Sequence, residues 1–391
     1  MTPMQTDPAH AGDTVLLLTT HLAIGGAERH IVTLANLLSP RFRIVLAYLK
    51  PREGITEQID CDALVELRCL HVHRGIDLRA ARELALMAEA HCARAILCAN
   101  GFALMYAQLA RLLSGNRLVV IEIFHTTKLR TMRERADLLF YRPFFWLADH
   151  LVFVCDAQRR YWSRRGLWGR RTHTIHNGVD LQRFAPAAPE EEVAATRALL
   201  GFADSDRVVG ICAVLRPEKA HMDLLHAVAM RRDQGEHWKV LLIGDGPMRA
   251  AIEQEVTRLG LGQSVRVTGF QADVRPWVAA CDVVALVSTA IETFSIAALE
   301  AMAMGKPMIM SDIGGAREQV TYGENGLVFP PGNVAALAAC LAKSWDGSET
   351  RRMGANARRR VEANFSLPTM IDRYGELLQS VFDSTRDPPQ R

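Results

Sequence analysis

The sequence predicts an α/β protein built from two doubly wound halves, each a parallel sheet wrapped by helices. Short apolar runs rich in β-branched residues recur at intervals of about 20–30 residues, and helical patterns fill the intervals. A Pro- and Glu-rich stretch near residue 186 then divides the series in two. In the first half the runs are TVLLLTT (14–20), RIVLAYL (43–49), ALVELRCL (63–70), RAILCA (94–99), LVVIEIF (118–124) and LVFVC (151–155). In the second they are RVVGICAVL (207–215), KVLLIG (239–244), VRVTGF (265–270), VVALVS (283–288), PMIMSD (307–312) and GLVF (326–329). Asn177-Gly178 makes a turn, and Pro186 and Pro189 with the acidic run after them make a linker. The expected domains are 1–185 and 186–367. The tail, 368–391, returns to the first domain as a helix, because Met370, Ile371, Tyr374, Leu377, Leu378, Val381 and Phe382 form one apolar stripe. Pro368 marks that helix's start or a kink.

Length and composition agree with two soluble domains. The chain has 391 residues, 49% hydrophobic and 23% charged. Its longest apolar candidate, 143–155, is broken by Asp149 and His150, short of the roughly 18 residues a spanning helix needs. The first thirty residues hold no basic segment followed by an apolar one, so no signal peptide is expected. Eight scattered cysteines without a CxxC pair read as reduced thiols in a cytoplasmic protein. Residues 1–185 carry 24 Lys and Arg against 17 Asp and Glu, and the remainder carries 22 against 26. A basic first half fits an anionic partner: a lipid surface, a phosphate-bearing acceptor or nucleic acid. Ordinary solvated faces explain the same numbers.

The stretch IETFSIAALEAMAMGKP (291–307) carries the most chemistry. A strand ends near Ser288, a loop holds Glu292 and Thr293, and a helix starts near Phe294 and stops at Gly305 and Pro307. The first turn of a helix has unpaired N–H groups and a positive dipole end, which suit an anion. Glu300 lies roughly 8–9 Å further along, at ~1.5 Å per residue. A carboxylate there suits a pair of sugar hydroxyls, each able to donate a hydrogen bond. Pairing with a core arginine is the structural alternative.

Here the chain resembles a known family. Glu292 and Glu300 in an E-x7-E spacing, followed by EAMAMGKPMIMSDIGGAREQV, are similar to retaining glycosyltransferase family 4, of GT-B fold. GGAERH (25–30), FH (124–125), HNGVD (176–180), LRPEKAH (215–221), GDGPMR (244–249) and ENGLVFPPG (324–332) occur in the family's order across nearly the whole chain. The resemblance implies two facing Rossmann-like domains with a cleft that closes on a nucleoside-diphosphate sugar donor, and a glycan or lipid-linked acceptor. It also implies site residues. Glu300 binds the donor's ribose. Glu292 lies by the transferred sugar, and Phe294 and Ser295 supply backbone N–H groups.

Lys219 is a compact cation suited to a diphosphate as charge builds on it, and the resemblance gives it that role. The family's second basic residue, five positions earlier, is Val214 here, so Arg216 is the substitute. Gly25 and Gly26 open a helix, where backbone can approach a ligand; the resemblance places them by diphosphate and acceptor, and a plain helix start explains them equally. His125 ends the fifth run, and its family counterpart contacts the donor sugar.

Gly244 begins GDGPMR, which has Arg249 where a dinucleotide fingerprint would have its third glycine, so NAD is not expected. Phe270 or Gln271 lies by the nucleobase, or in a turn. Gly315 and Glu318 rim the cleft. Asp204 and Asp206 mimic a metal-binding D-x-D but precede a strand, and read as a solvated turn. No metal or other cofactor is expected. The run RRYWSRRGLWGRR (159–171) interleaves arginines with Tyr161, Trp162 and Trp168. It reads either as a peripheral contact with an anionic membrane at its inner face or as a solvated helix, and not as a nucleic-acid site. Two rival functions remain at this level, a GT-B epimerase acting on the nucleotide sugar and a sugar-nucleotide-binding protein without turnover.

Overall fold

A computed structural model of the chain describes residues 12–23, 25–73, 75–114, 118–126, 129, 131–186, 189–290 and 292–386. Their contacts divide into two compact units, Met1–Ile175 with Met370–Arg391, and His176–Thr369.

The first unit holds seven strands: β1 (Thr14–Thr19), β2 (Arg43–Tyr48), β3 (Glu66–Cys69), β4 (Ala95–Ala99), β5 (Val119–Phe124), β6 (His150–Phe153) and β7 (Arg171–Thr174). Its helices are α1 (Gly26–Leu38), α2 (Leu78–Ala90), α3 (Gly101–Leu113), α4 (Met132–Leu147) and α5 (Asp156–Ser163). The strands pair in parallel in the order β3-β2-β1-β4-β5-β6-β7. Helices on both faces explain why β1 and β4 are buried along their whole length, with continuous apolar interiors rather than alternation.

The second unit opens with α6 (Glu190–Leu200) and has strands β8 (Arg207–Cys212), β9 (Trp238–Ile243), β10 (Val265–Gly269), β11 (Val283–Leu286), β12 (Met308–Ser311) and β13 (Gly326–Phe329). Their order, β10-β9-β8-β11-β12-β13, is again parallel and doubly wound. The connecting helices are α7 (His221–Arg232), α8 (Arg249–Arg258), α9 (Arg275–Ala279), α10 (Ile296–Ala303), α11 (Ala316–Gln319), α12 (Val334–Lys343) and α13 (Gly347–Asn364). The chain reverses its winding between β8 and β11, so the loops leaving those two strands meet at the switch point.

The expected strands form, with shorter ends. One strand is missed: β7, whose sequence RTHT lacks an apolar run, is held by pairing to the edge of β6. Across that pair His150 Nδ1 and His173 Nε2 share a 2.8 Å hydrogen bond. The tail forms helix α14 (Leu367–Arg386) with Pro368 in its first turn, a start and not a kink. From Met370 onward it packs in the first unit, where Tyr374, Leu378 and Phe382 are buried, and Arg41 pairs with Asp372.

The division between units falls ten residues before the expected seam, because His176–Phe184 is tied into the second unit. Val179 N–H donates to Phe365 O, Leu367 N–H donates to Val179 O, and Asn177 Nδ2 donates to Phe294 O. The linker's Ala187 and Ala188 lie outside the described residues. Among those described, no helix is long and apolar enough to cross a membrane.

Candidate functional site

In the second unit the carboxyl ends of β8 and β11 bring two of the expected residues together. The chain leaves β8 through an exposed loop and a 3₁₀ turn, Pro217–Lys219, then passes Ala220 in a left-handed conformation (φ 50°) into α7. The exit of β11 docks on that turn, Thr289 N–H donating to Glu218 O at 3.0 Å. Lys219 Nζ then donates to Glu292 Oε2 at 2.6 Å, and Ser288 Oγ lies 3.3 Å from the same oxygen. Both side chains are only partly buried. The lysine is therefore held over the switch point by a carboxylate rather than waving in solvent.

Glu300 sits on α10, partly buried rather than enclosed. Its charge reaches the end of β8: the Cys212 thiol is pushed up to about 12, by burial first and by Glu300 second. The carboxylate thus lies on the same edge of the sheet as Lys219 and Glu292.

The Glu292–Ser295 loop is fixed from several sides. Gly315 N–H donates to Thr293 O (2.7 Å), Gln319 Nε2 to Ser295 O (2.8 Å), and His176 Nε2 bonds Glu318 Oε2 (2.9 Å) beneath the Phe294 ring, 4.8 Å between centroids. Phe294 is buried, so its side chain anchors the loop. Ser295, the other expected N–H donor, is engaged within the loop. Its N–H already lies against Gln319 Oε1 at 3.3 Å, and its hydroxyl accepts from Ala298 N–H as the cap of α10.

Gly314 was not singled out in the sequence, yet it is the glycine this loop demands. Its φ is +56°, and a Cβ there would lie 1.9 Å from Glu292 O. Gly314→Ala should cost about 1–2 kcal/mol for the left-handed backbone alone, plus displacement of the Glu292 carbonyl. A fall of several degrees in melting temperature, measured by calorimetry, is expected; an unshifted transition would refute the account.

Gly244 plays a related part. At φ +147°, a Cβ would stand 2.2 Å from Ala213 O, and Leu215 N–H donates to Asp245 O. This packs the GDG loop onto the exit of β8 and shapes the turn carrying Lys219. Arg216 is exposed, and among the described residues its guanidinium has no side-chain partner; Val214 is exposed on the same loop. Phe270, just after β10, is 77% exposed, an unusual place for an aromatic ring. Gln271 folds back, its Nε2 donating to Thr268 O, so it serves the turn. Asp206 likewise accepts from Ala203 N–H within its own turn. Among the described residues no group of three or more His, Cys, Asp or Glu is disposed to hold a metal ion.

The first unit carries the remaining candidates. Gly25 caps α1 in extended backbone, and a Cβ at Gly26 would meet nothing within 4 Å. The first-turn Glu28 swings back over Gly25, its carboxylate 2.2 Å from where a Cβ would be. That carboxylate offsets the positive end of α1, so a phosphate at this end would meet a like charge. His125 follows β5, edge-on to His30 at 5.1 Å, and burial pushes its pKa down to about 4, leaving it neutral at pH 7. His30 in turn shares a 3.1 Å hydrogen bond with Tyr374 of α14. Sequence reasoning missed both supports, though His30 stands inside GGAERH and Tyr374 inside the apolar tail stripe. It also missed Glu122, buried at the end of β5, which accepts from Asn100 N–H (2.9 Å); burial holds its carboxyl well above the usual range.

Two doubly wound parallel sheets of this kind are the architecture of the GT-B fold. Family profiles agree: Glycosyltransferase Family 4 matches residues 24–183 and Glycosyl transferases group 1 matches residues 193–360. The chain belongs to this glycosyltransferase family. It is 33% identical over 247 residues (59% of this chain, 62% of the relative) to a GDP-mannose-dependent monoacylated alpha-(1-6)-phosphatidylinositol monomannoside mannosyltransferase of Corynebacterium glutamicum. It is 27% identical over 250 residues (63% of this chain, 65% of the relative) to EpsD of Bacillus subtilis. The matches thus span less than two thirds of those relatives' own length. The fold is that of Anabaena HepE, solved in complex with UDP: TM-score 0.82, 24% identity, covering 94% of this chain and 100% of that one.

Proposed function

We propose that the protein is a retaining glycosyltransferase that moves a sugar from a nucleoside diphosphate to a glycan or lipid-linked acceptor, in cell-surface polysaccharide synthesis. It would work in the cytoplasm, in peripheral contact with the inner face of the membrane. The observation that carries this reading is the Lys219–Glu292 pair at the β8/β11 switch point, with Glu300 on the same edge. A diphosphate brings more negative charge than one carboxylate, so on binding it draws Lys219 from Glu292. Glu292 is left to accept from a sugar hydroxyl, while Glu300 accepts from the ribose and Phe270 stacks on the base. Arg216 and the Phe294 N–H add charge and a donor to the phosphates.

In the reaction the bond from the anomeric carbon to the phosphate oxygen breaks, and the diphosphate leaves with the electron pair, stabilised by Lys219. The acceptor hydroxyl attacks from the same face, and its proton passes to a phosphate oxygen. No metal takes part in this scheme. His125, neutral at pH 7, would serve as a hydrogen-bonding group and not as an acid or base.

Calorimetric titration with UDP, GDP and ADP is expected to give saturable binding of one of them. The matching nucleotide sugar should then turn over with acceptor, in the presence of EDTA, to a product of unchanged anomeric configuration. Binding of none would sink the reading. Product from donor alone would instead make this an epimerase, and binding without turnover a sugar-nucleotide-binding protein.

A further inference from the structure

The outer face of α4 is apolar where a surface helix should be polar. Its inner side packs Leu138, Tyr141, Phe144 and Phe145 against the first unit's core. Its outer side carries Leu139, Phe140, Pro143, Trp146 and Leu147, spaced 1, 4, 7 and 8 positions from the first, which makes one stripe. Leu139 is 67% exposed, Phe140 53% and Leu147 47%. Contiguous exposed apolar surface of this kind marks an interaction site.

The neighbouring loop extends it. Trp168, half exposed, stacks on Trp146 with 6.2 Å between centroids, and Trp146 Nε1 donates to Gly166 O at 2.9 Å. Arg142 donates to Arg165 O, tying helix and loop together. The same loop presents Arg164 and Arg165, both exposed, and among the described residues neither pairs with a carboxylate. The basic run 159–171 is thus not one patch. Trp162 is buried, its Nε1 donating to Thr126 O, and Arg165 covers the Tyr161 ring at 3.6 Å. Of its three aromatic residues only Trp168 is exposed, beside the exposed Arg164, Arg165, Arg170 and Arg171.

We infer that the outer stripe of α4, with Trp168 and the Arg164–Arg165 rim, is the surface through which the protein docks on an anionic lipid bilayer. This deepens the proposed peripheral contact by naming where it lies. Tryptophan and phenylalanine bury in the interfacial layer, while arginines beside them meet lipid phosphates. Charge complementarity decides the occupant. A second copy meeting this face through a two-fold axis would set one arginine rim against the other, whereas an anionic surface neutralises both.

The intact protein should sediment with vesicles of phosphatidylcholine and phosphatidylglycerol, and not with phosphatidylcholine alone, and high salt should weaken binding. The double substitution Leu139→Ser, Phe140→Ser should lower partitioning roughly tenfold or more. Arg164→Glu with Arg165→Glu, confined to an exposed loop, should remove the preference for anionic vesicles. Nucleotide affinity, titrated separately, should be unchanged in both, so the two readings can fail independently. The inference is overturned if the protein does not bind anionic vesicles, if both double variants bind as the parent does, or if Leu139→Ser, Phe140→Ser abolishes a concentration-dependent dimer while vesicle binding persists.

Discussion

Replacing Lys219 by alanine is expected to lower kcat by about a hundredfold, the usual scale for removing one donor from a developing oxyanion. The fold should survive, because the lysine's side chain is partly exposed and its hydrogen-bonded partner, Glu292, keeps a second contact from Ser288. In the proposed mechanism the diphosphate's charge increases as the sugar departs, so kcat should fall more than donor affinity does. Lys219→Arg restores charge but not the compact ammonium, and should recover activity only in part. Turnover at the parent rate in the alanine variant would remove Lys219 from the mechanism.

Glu300→Ala should act elsewhere. In the proposed role Glu300 accepts from the ribose, and its removal should cost about 1.5–3 kcal/mol, the scale of one charge-assisted hydrogen bond, because water solvates the freed hydroxyls. Affinity for the nucleoside diphosphate should therefore fall roughly ten- to a hundredfold, while the rate at saturating donor changes little. A second readout comes from Cys212. Glu300 is one of the two causes that raise its thiol, so removing the carboxylate should bring the thiol down and quicken its alkylation above neutral pH; burial keeps it above an ordinary cysteine. Equal nucleotide affinity with a more reactive Cys212 would show that Glu300 is structural.

Much of this arrangement was readable in the chain because periodicity and turn chemistry are local. Apolar runs placed all but one strand. The spacing of Glu292 and Glu300, just after a strand, put both near one sheet edge, and Lys219 came to the same edge because β8 and β11 are neighbours. What was hidden depended on distant partners. Nothing near Ser295 announces that Gln319, 24 residues on, occupies its N–H. Gly314 looks like any loop glycine until the Glu292 carbonyl lies against it. β7 has no apolar signature because its order comes from β6. The 159–171 run looked uniform, yet the fold inserts Trp162 into the core and leaves Trp168 outside, because α5 ends at Ser163 and the chain then turns.

Helix α14 packs in the unit that holds β1–β7. Tyr374, Leu378 and Phe382 fill an apolar trench lined by α1 and its neighbours, about 340 residues after those walls are made. On the ribosome the second unit can therefore complete its core first, while the older half waits with oily surface uncovered. Maturation of the first unit therefore waits until α14 has been translated, and a nascent chain stalled before residue 370 should be a client for chaperones rather than a half-finished enzyme.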